Sequence, residues 1–306
     1  MRRHLRLCRV GIALLSVGVV IRAQPESDKA IRIQTLNVRD ILYVLSGGGS
    51  NSLALMRDDG VVLIDSKAPG WGQSVLRAIG SVTDQPVRLI VNTTADLDHT
   101  GGNADIATAA DIVAHENTKA NMSHMDAFQG SRAKFLPNKT VATKMSLLDG
   151  QDRIDLYYFG AAHTNGDLVV VFPEKHLAYM GDLFPAKAAP VIDTAHGGSA
   201  VEFPTTLARA VAEITGVTRV VAGRYAAPVD PTDVKYSDTA QTMRWSDLVE
   251  YAGFNRDFLE AVETAMRDGK NADQAAADLQ LPEKYQNYDM QQAKANVRAI
   301  YGELKK

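Results

Sequence analysis

Short apolar runs, separated by turns rich in glycine, proline and aspartate, make up most of the chain before residue 236. Ten of these runs are predicted to be strands: residues 31–36, 41–45, 52–57, 61–65, 87–92, 112–114, 154–159, 168–172, 176–180 and 219–222. Asp59-Gly60 and Pro173-Glu174-Lys175 each join two of the runs, which predicts two β-hairpins. Helices are predicted over 69–82, 103–109, 116–125 and 202–214. The 306 residues suffice for one large α/β domain, or for one domain with an extension.

The first residues have the pattern of a secretory signal peptide. Four arginines precede a 12-residue apolar run, residues 10–21. Ala23 is the expected last residue of the peptide, so cleavage is predicted between Ala23 and Gln24. The run is short for a membrane span, although an uncleaved membrane anchor is the alternative. The sequence therefore predicts export, with a mature chain that begins at Gln24 and is periplasmic or secreted.

The character of the sequence changes again near residue 236. Ser237 and Asp238 can cap a helix that continues to Gly269, and helices are also predicted over 272–279 and after Asp289. The expected organisation is a signal peptide over residues 1–23, a main domain over 24–236 and a helical C-terminal extension over 237–306.

Removal of the signal peptide changes the charge balance and removes the only cysteine, Cys8. Residues 1–23 contain five arginines and no acidic residue, so the mature chain has 28 basic and 36 acidic side chains and a net charge of −8. This charge argues against a nucleic-acid partner and against electrostatic attachment to anionic lipid. Without cysteine, the mature chain has neither a disulfide nor a thiolate for zinc. A small-molecule substrate or ligand is the expected partner, and the sequence indicates no oligomeric state.

Candidate chemistry is concentrated in loops that follow predicted strands. Asp96, Asp98 and His99 lie within four residues of one another after the strand over 87–92, and His163 and Asp182 follow later strands. Carboxylates and neutral imidazoles are ligands of zinc and related metals. For the first loop alone, turn capping and backbone hydrogen bonds are the simpler interpretation. With His163 and Asp182 added, a shared metal site becomes an equal alternative.

The order of these segments resembles the metallo-β-lactamase superfamily, whose fold is an αββα sandwich. Residues 98–103 (Asp-His-Thr-Gly-Gly-Asn) resemble the end of its H-x-H-x-D-H hallmark and the following glycines. His163 matches its downstream histidine, Asp182 its bridging aspartate, and residues 61–65 its early strand that ends in aspartate. The resemblance extends over residues 31–230 and implies the αββα fold with a two-metal hydrolytic centre.

Three positions depart from the family's pattern. Its two leading histidines fall on Thr94 and Asp96, and its final histidine falls on Arg224. Aspartate can bind zinc, but threonine is a poor ligand and a guanidinium cannot give up its proton to bind metal. A normal two-zinc centre is therefore not expected.

The resemblance instead implies one divalent metal, with zinc as the first choice and manganese, calcium or magnesium as alternatives. It would be held by Asp98, His99 and Asp182, helped by His163 or Asp96. The full set of candidate metal ligands is Asp96, Asp98, His99, His163 and Asp182.

Arg224 is expected to point into the site rather than outward to solvent. Three converging carboxylates repel one another unless a cation neutralises them, and a guanidinium can take a metal's electrostatic place. His196, in a glycine-rich loop near the expected cleft, is a further candidate for a replacement ligand.

Two function classes remain open. A metal-dependent hydrolase would use metal-activated water, with Asp98 and Asp182 as catalytic carboxylates, to attack an ester, amide, thioester or phosphoester. A non-catalytic exported binding protein would keep the fold and the cleft alone. The retained candidate ligands favour the hydrolase, and the three departures favour the binding protein. A structural or interaction role of the C-terminal helices is the third possibility.

Overall fold

A computed structural model describes residues 31–36, 41–224 and 242–305. The expected signal peptide, Cys8, the boundary at residue 236 and the helix caps Ser237 and Asp238 all lie outside the described residues.

The first half of the chain forms a seven-stranded sheet whose strands are arranged in sequence order. They are β1 (Arg32–Thr35), β2 (Leu42–Ser46), β3 (Ser52–Leu55), β4 (Val61–Ile64), β5 (Val87–Asn92), β6 (Asp111–His115) and β7 (Lys139–Val141). Strands β1 to β4 are antiparallel, and β4 to β7 are parallel. The hairpin predicted at Asp59-Gly60 joins β3 to β4, where Gly60 has a φ of 139° that favours glycine.

The second sheet has six strands in the order β13-β12-β11-β10-β9-β8. They are β8 (Lys144–Leu147), β9 (Ile154–Tyr157), β10 (Val169–Phe172), β11 (Leu177–Tyr179), β12 (Arg219–Val221) and β13 (Met243–Arg244). Only β11 and β12 are parallel to each other, and the hairpin predicted between β10 and β11 is present. Sequence reasoning missed β7, β8 and β13. All three are short strands at sheet edges, where polar residues face solvent and weaken the apolar signal.

The two sheets pack face to face over a shared apolar core. Leu53, Ile64 and Val91 of the first sheet belong to the same buried cluster as Leu156 and Phe172 of the second. Strands β3, β4 and β10 are buried along their whole length, because each is covered on both faces. Each fully buried side chain of this size stabilises the fold by about 1.5–3 kcal/mol. The interface between the sheets is therefore one hydrophobic core, and a second, larger one lies between the second sheet and its outer helices.

Helices cover the outer faces of both sheets. They are α1 (Gly72–Gly80), α2 (Leu97–Thr100), α3 (Asn103–Ile106), α4 (Glu116–Ser123), α5 (Phe203–Glu213), α6 (Trp245–Arg267), α7 (Ala272–Ala277) and α8 (Ala293–Leu304). On the first sheet, Val75 and Ile79 of α1 pack with Ile106 of α3. On the second sheet, α5 packs with α6 and α8 in one cluster. The layers are helix, sheet, sheet, helix, which is the expected αββα sandwich.

The C-terminal helices continue the outer layer of the second sheet. The first of them begins at Trp245, later than the expected caps at Ser237 and Asp238, because β13 precedes it. Its first turn is fixed by Asp247, whose carboxylate accepts from the Arg244 backbone N–H at 2.8 Å. Within the described residues, none of the helices combines the length and apolarity needed to cross a membrane.

The loops that follow β4, β5, β11 and β12 meet at one edge of the sandwich. There the backbone N–H of Asn51 donates to the Gly223 carbonyl at 2.6 Å, and its side chain donates to the Ala222 carbonyl at 2.9 Å. The Tyr179 hydroxyl donates to the Asn51 carbonyl at 2.8 Å. These bonds join the two sheets at the edge where the candidate residues lie.

Close backbone approach at this edge requires glycine. A Cβ added to Gly102 would lie 2.0 Å from the carbonyl oxygen of Ser66. We expect Gly102→Ala to lower the free energy of unfolding by about 1–3 kcal/mol, the usual cost of overpacking. Gly80→Ala is the matched control, because a Cβ at that helical position meets nothing within 4 Å. It should be neutral or slightly stabilising in the same urea titration. Equal effects of both substitutions would contradict this account.

Candidate metal centre

Six polar side chains from four loops converge at this edge of the sandwich. Asp96 is the N-cap residue of α2, and Asp98 and His99 lie within this four-residue helix. His163 follows β9, while the last two members follow β11 and β12. The six side chains are Asp96, Asp98, His99, His163, Asp182 and Arg224.

The guanidinium of Arg224 points into the cluster and contacts all three carboxylates. Its Nε and Nη2 donate to the two oxygens of Asp182 at 2.8 and 2.6 Å. Its Nη1 donates to Oδ2 of Asp98, and its Nη2 donates to Oδ1 of Asp98 at 3.2 Å. Nη2 also lies 3.3 Å from Oδ2 of Asp96. Two of these pairs are bidentate, the geometry in which arginine binds carboxylates most strongly.

His163 is oriented by a backbone carbonyl. Its Nδ1 lies 2.9 Å from the Val191 carbonyl oxygen, so Nδ1 carries a proton. The opposite nitrogen, Nε2, lies 3.1 Å from Oδ2 of Asp96 and 3.3 Å from Oδ2 of Asp182. The ring is almost fully buried. Its reactive nitrogen is therefore held between two carboxylates.

His99 is oriented by Asp65, a residue whose importance the sequence reasoning missed. The Nδ1 of His99 lies 2.7 Å from Oδ2 of Asp65, and that carboxylate also accepts from Thr93 and Tyr179. Nε2 of His99 lies 3.3 Å from Oδ1 of Asp182. That nitrogen is fully buried and makes no hydrogen bond to any described residue. A carboxylate behind an imidazole is a common support for a metal-ligating histidine.

Burial and charge oppose each other at the aspartates. Burial raises the pKa of Asp182, but the positive charges of His99, His163 and Arg224 outweigh it and hold that pKa well below its usual range. Burial also raises the pKa of Asp96, but the hydrogen bond with His163 and the positive charges of His163 and His99 together lower it below its usual value. Both side chains are therefore carboxylates at neutral pH.

The neighbouring carboxylates raise the pKa values of the two imidazoles, His99 and His163. Burial lowers the pKa of His163, but the hydrogen bond to Asp96 and the charge of Asp182 raise it to about 10. For His99, the charges of Asp182 and Asp65 overcome burial and raise the pKa well above its usual value. Without a metal, both rings are protonated at neutral pH.

The residues fit one divalent metal. Ligand atoms of Asp96, His163 and Asp182 all lie within 4.8 Å of one another. Two ligands at about 2.0–2.1 Å from a tetrahedral zinc are themselves about 3.3 Å apart. The separations of 3.1 and 3.3 Å at Nε2 of His163 match this spacing.

They do not fit the two metals that the resemblance implies, because Arg224 stands at the position of a histidine ligand and binds both oxygens of Asp98. Among the described residues, Asp98 belongs to no group with metal-ligand spacing. The Thr94 hydroxyl is buried and makes no hydrogen bond within the described part of the chain. It lies where the resemblance places a histidine, and it is a weak substitute for one.

A second residue missed from the sequence is Lys67, which is fully buried beneath the cluster. Its Nζ donates to the carbonyl oxygens of Leu45, at 2.7 Å, and Ser50. The Ser50 hydroxyl in turn donates to the Asp98 carbonyl at 2.6 Å. Burial lowers the pKa of Lys67 to about 7, against the opposing charges of Asp65 and Asp98. Lys67 thus ties the glycine turn before β3 to the loop that carries Asp98, and no sequence pattern signals this.

His196 lies at the margin of the same cleft. Its Nδ1 is 2.5 Å from Oδ2 of Asp193. Ligand atoms of Asp193, His196 and Asp96 lie within 4.8 Å of one another. His196 does not join the group formed by Asp96, His163 and Asp182, so it extends the cluster at one end.

Three further histidines of the described residues lie apart from the centre. The side chain of His115 accepts from the Asn117 N–H and caps α4. His124 and His176 are exposed.

Comparison with known proteins identifies the family of the chain. The model of the metallo-β-lactamase superfamily matches residues 45–230, which is more than half of the chain. The chain belongs to the metallo-β-lactamase superfamily. Members of this superfamily usually bind divalent metals such as zinc.

Solved structures of the superfamily share the fold at low sequence identity. A metallo-β-lactamase from Pontibacter korlensis has a TM-score of 0.59 at 19% identity, over 74% of this chain and 99% of that one. The inverting sec-alkylsulfatase Pisa1 from Pseudomonas sp. has a TM-score of 0.69 at 13% identity, over 87% of this chain and 49% of that one.

One curated relative is closer in sequence. The 2,4-dinitroanisole O-demethylase subunit alpha of Nocardioides sp. (strain JS1661) is 32% identical over 150 residues. The match covers 47% of this chain and 44% of the relative, so the chain matches less than half of that protein's length.

The protonated imidazoles of the six-residue cluster lie between carboxylates. The stability of the metal-free protein therefore depends on pH. The pKa of His163 rises from 6.5 to about 10 on folding. Its contribution to stability is therefore complete below about pH 6.5 and is lost as the pH rises towards 10. Burial of Lys67 acts in the opposite direction, because its pKa falls to about 7 on folding and its contribution to stability therefore rises with pH. The His163 contribution is measured as the difference in the free energy of unfolding between metal-free natural chain and metal-free His163→Gln. This difference should shrink by at least about 1 kcal/mol between pH 7 and 10.

Urea titrations across this pH range measure the effect, with two histidine variants as a pair. Relative to the natural chain, His163→Gln should gain stability as the pH rises, whereas His124→Gln, at an exposed position, should keep the pH dependence of the natural chain. The same slope in all three proteins would contradict the assignment.

Proposed function

We propose that the protein is an exported hydrolase of the metallo-β-lactamase superfamily that works with one divalent ion, zinc as the first candidate. The observation that carries the proposal is the pairing of the Arg224 guanidinium with Asp98 and Asp182. On the other side of the cluster, Asp96, His163 and Asp182 keep the spacing of metal ligands. Export remains a prediction, and a mature terminus at Gln24 in protein from the native host would support it.

The structure changes the favoured position of the ion. The sequence suggested Asp98, His99 and Asp182 as the main ligands. Ligand atoms of Asp96, His163 and Asp182 lie within 4.8 Å of one another, whereas no such group of described residues includes Asp98, so we favour the first set. His99 keeps a buried nitrogen towards Asp182 and is the nearest additional donor.

Asp96, His163 and Asp182 would hold the divalent ion, which would supply water of lowered pKa and polarisation of a substrate oxygen. The protein residues prepare that position. Val191 keeps the proton of His163 on Nδ1, so Nε2 faces the ion. Arg224 holds Asp182 and Asp98 in place and supplies one fixed positive charge beside the reaction. Such a charge stabilises negative charge that develops on the substrate oxygen.

The relatives extend the range of substrates to consider. The Pseudomonas enzyme is named for alkyl sulfates and the Nocardioides protein for removal of the methyl group of an anisole. Both names describe cleavage of a bond to an ester or ether oxygen. We therefore add sulfate esters and aryl methyl ethers to the candidate esters, amides, thioesters and phosphoesters. The Nocardioides relative is also a subunit, so a partner chain is part of the proposal.

A non-catalytic binding protein is the second candidate, and one observation favours it. Three carboxylates are matched by one guanidinium and two protonated imidazoles, so the cluster is balanced without metal. Metal binding must then displace protons from the histidines. A protein that binds no metal at neutral pH would belong to this class.

Metal stoichiometry tests the proposal. Purified mature protein dialysed against zinc should hold at most one tightly bound ion per chain, measured by inductively coupled plasma mass spectrometry. Thr94→His, Asp96→His and Arg224→His together restore the superfamily's histidines, so this triple variant should hold close to two zinc ions. Its hydrolysis of generic ester or lactam substrates should also increase.

Asp182→Asn is the matched control, because it weakens the shared ligand and should lower zinc content in both backgrounds. Two tightly held ions in the natural chain would contradict our account of Arg224. In that case Asp193 and His196, beside Asp96, would be the first place to look for the second ion. No bound ion would favour the binding protein.

A further inference from the structure

One loop connects the candidate centre to the C-terminal helices. We call residues 187–200 the bridging loop. On its inner side, the Val191 carbonyl accepts from Nδ1 of His163 at 2.9 Å. The Asp193 N–H donates to the His163 carbonyl at 2.8 Å. The loop therefore holds both the ring and the backbone of His163.

The outer side of the bridging loop is held by the C-terminal helices. The side chain of Asn296, in α8, donates to the Pro190 carbonyl at 2.9 Å. Glu303, from the same helix, accepts from the Ala200 N–H at 2.8 Å and from the Ser199 hydroxyl. One helix thus fixes the loop near both of its ends.

The Asn296 bond lies closest to the imidazole. Both Asn296 and Pro190 are buried, and Pro190 is followed directly by Val191, the residue that binds the ring. A buried carbonyl that loses its donor costs free energy, so the local backbone shifts to find another partner. Any such shift moves the Val191 carbonyl and with it the His163 ring.

We propose that Asn296 is a positioning residue of the centre: it fixes the Pro190–Val191 backbone, which in turn fixes His163 with Nε2 towards Asp96 and Asp182. The inference rests on the proposed function where it concerns metal binding. It gives the C-terminal helices a part in the chemistry, although none of their side chains is a candidate ligand. Residues outside the ligands that orient a metal-bound histidine change metal affinity by about 10–100-fold when replaced.

Asn255 provides a matched control. It is also a buried asparagine of the C-terminal helices and lines the same small cavity as Asn296 and Pro190. Its side chain donates to the Tyr251 carbonyl within its own helix, at 2.9 Å, rather than to the bridging loop. Asn296→Ala and Asn255→Ala therefore remove the same group from the same surroundings, and only the first removes the bond to the Pro190 carbonyl. The bonds of Glu303 and Asp289 to the loop remain in both variants.

The first measurement uses metal-free mature protein with 15N-labelled histidine. The Nδ1 proton of His163, bonded to Val191, should give a protected resonance in the natural chain and in Asn255→Ala. In Asn296→Ala this proton should exchange with water at least about tenfold faster, because its acceptor moves. This readout does not depend on whether the protein is an enzyme.

The second measurement is zinc affinity by competition with a chelator. Asn296→Ala should bind zinc about tenfold more weakly than the natural chain, while Asn255→Ala should match it. If Asn296→Ala does not fold, Asn296→Thr is measured instead, since it keeps most of the volume but its hydroxyl is one bond shorter.

The proposal is overturned if the Nδ1 proton stays protected in the Asn296 variant, or if both asparagine variants lose protection and affinity equally. If the natural chain binds no zinc, the proposed function fails, and the proton measurement still decides the role of Asn296.

Discussion

The guanidinium of Arg224 is the interaction on which the chemistry of this cleft depends. It makes bidentate contacts with Asp98 and Asp182 and reaches Asp96, so three carboxylates share one permanent cation. In the pattern that the superfamily resemblance implies, this strand end carries a histidine ligand. An arginine there supplies charge without a lone pair, so it can neutralise the carboxylates but cannot hold a metal. The result is a centre with room for one ion on the His163 side.

This arrangement also explains why the cluster is compatible with two chemical states. With both imidazoles protonated, its three positive and three negative groups balance. With a metal, the protons leave and the ion takes over part of their charge, while Arg224 remains paired. The supporting groups serve both states. Asp65 holds His99 from behind, the Val191 carbonyl holds His163, and neither contact changes when a proton is exchanged for a metal.

The fold was predictable from the sequence because its strands are short, apolar and separated by strong turn signals. The run over 87–92 was located at its true bounds, and residues 98–103 pointed to the family. The residue types alone left a shared site as an equal alternative, and the family resemblance then predicted the convergence of Asp96, Asp98, His99, His163, Asp182 and Arg224. The edge strands β7, β8 and β13 were not predicted, because half or more of their side chains are polar. The burial of Lys67 was not predicted either, because no local sequence pattern marks a buried lysine.

The supporting contacts were beyond sequence reasoning for a physical reason. Val191 acts through its backbone carbonyl, which every residue type possesses, and Asn296 lies 106 residues from its partner Pro190. Asp65 was visible only as the residue at the end of a strand, and its bond to His99 spans 34 positions. Such contacts depend on how the two sheets and the outer helices meet. Only the assembled fold shows them.

The central claim is that Arg224 takes the place of the second metal. An anomalous difference map from a zinc-soaked crystal, recorded on both sides of the zinc absorption edge, tests it most directly. The account predicts one anomalous peak among Asp96, His163 and Asp182, with the Arg224 guanidinium still bonded to Asp98. Two peaks, with Arg224 turned away from Asp98 and an ion in its place, would contradict it.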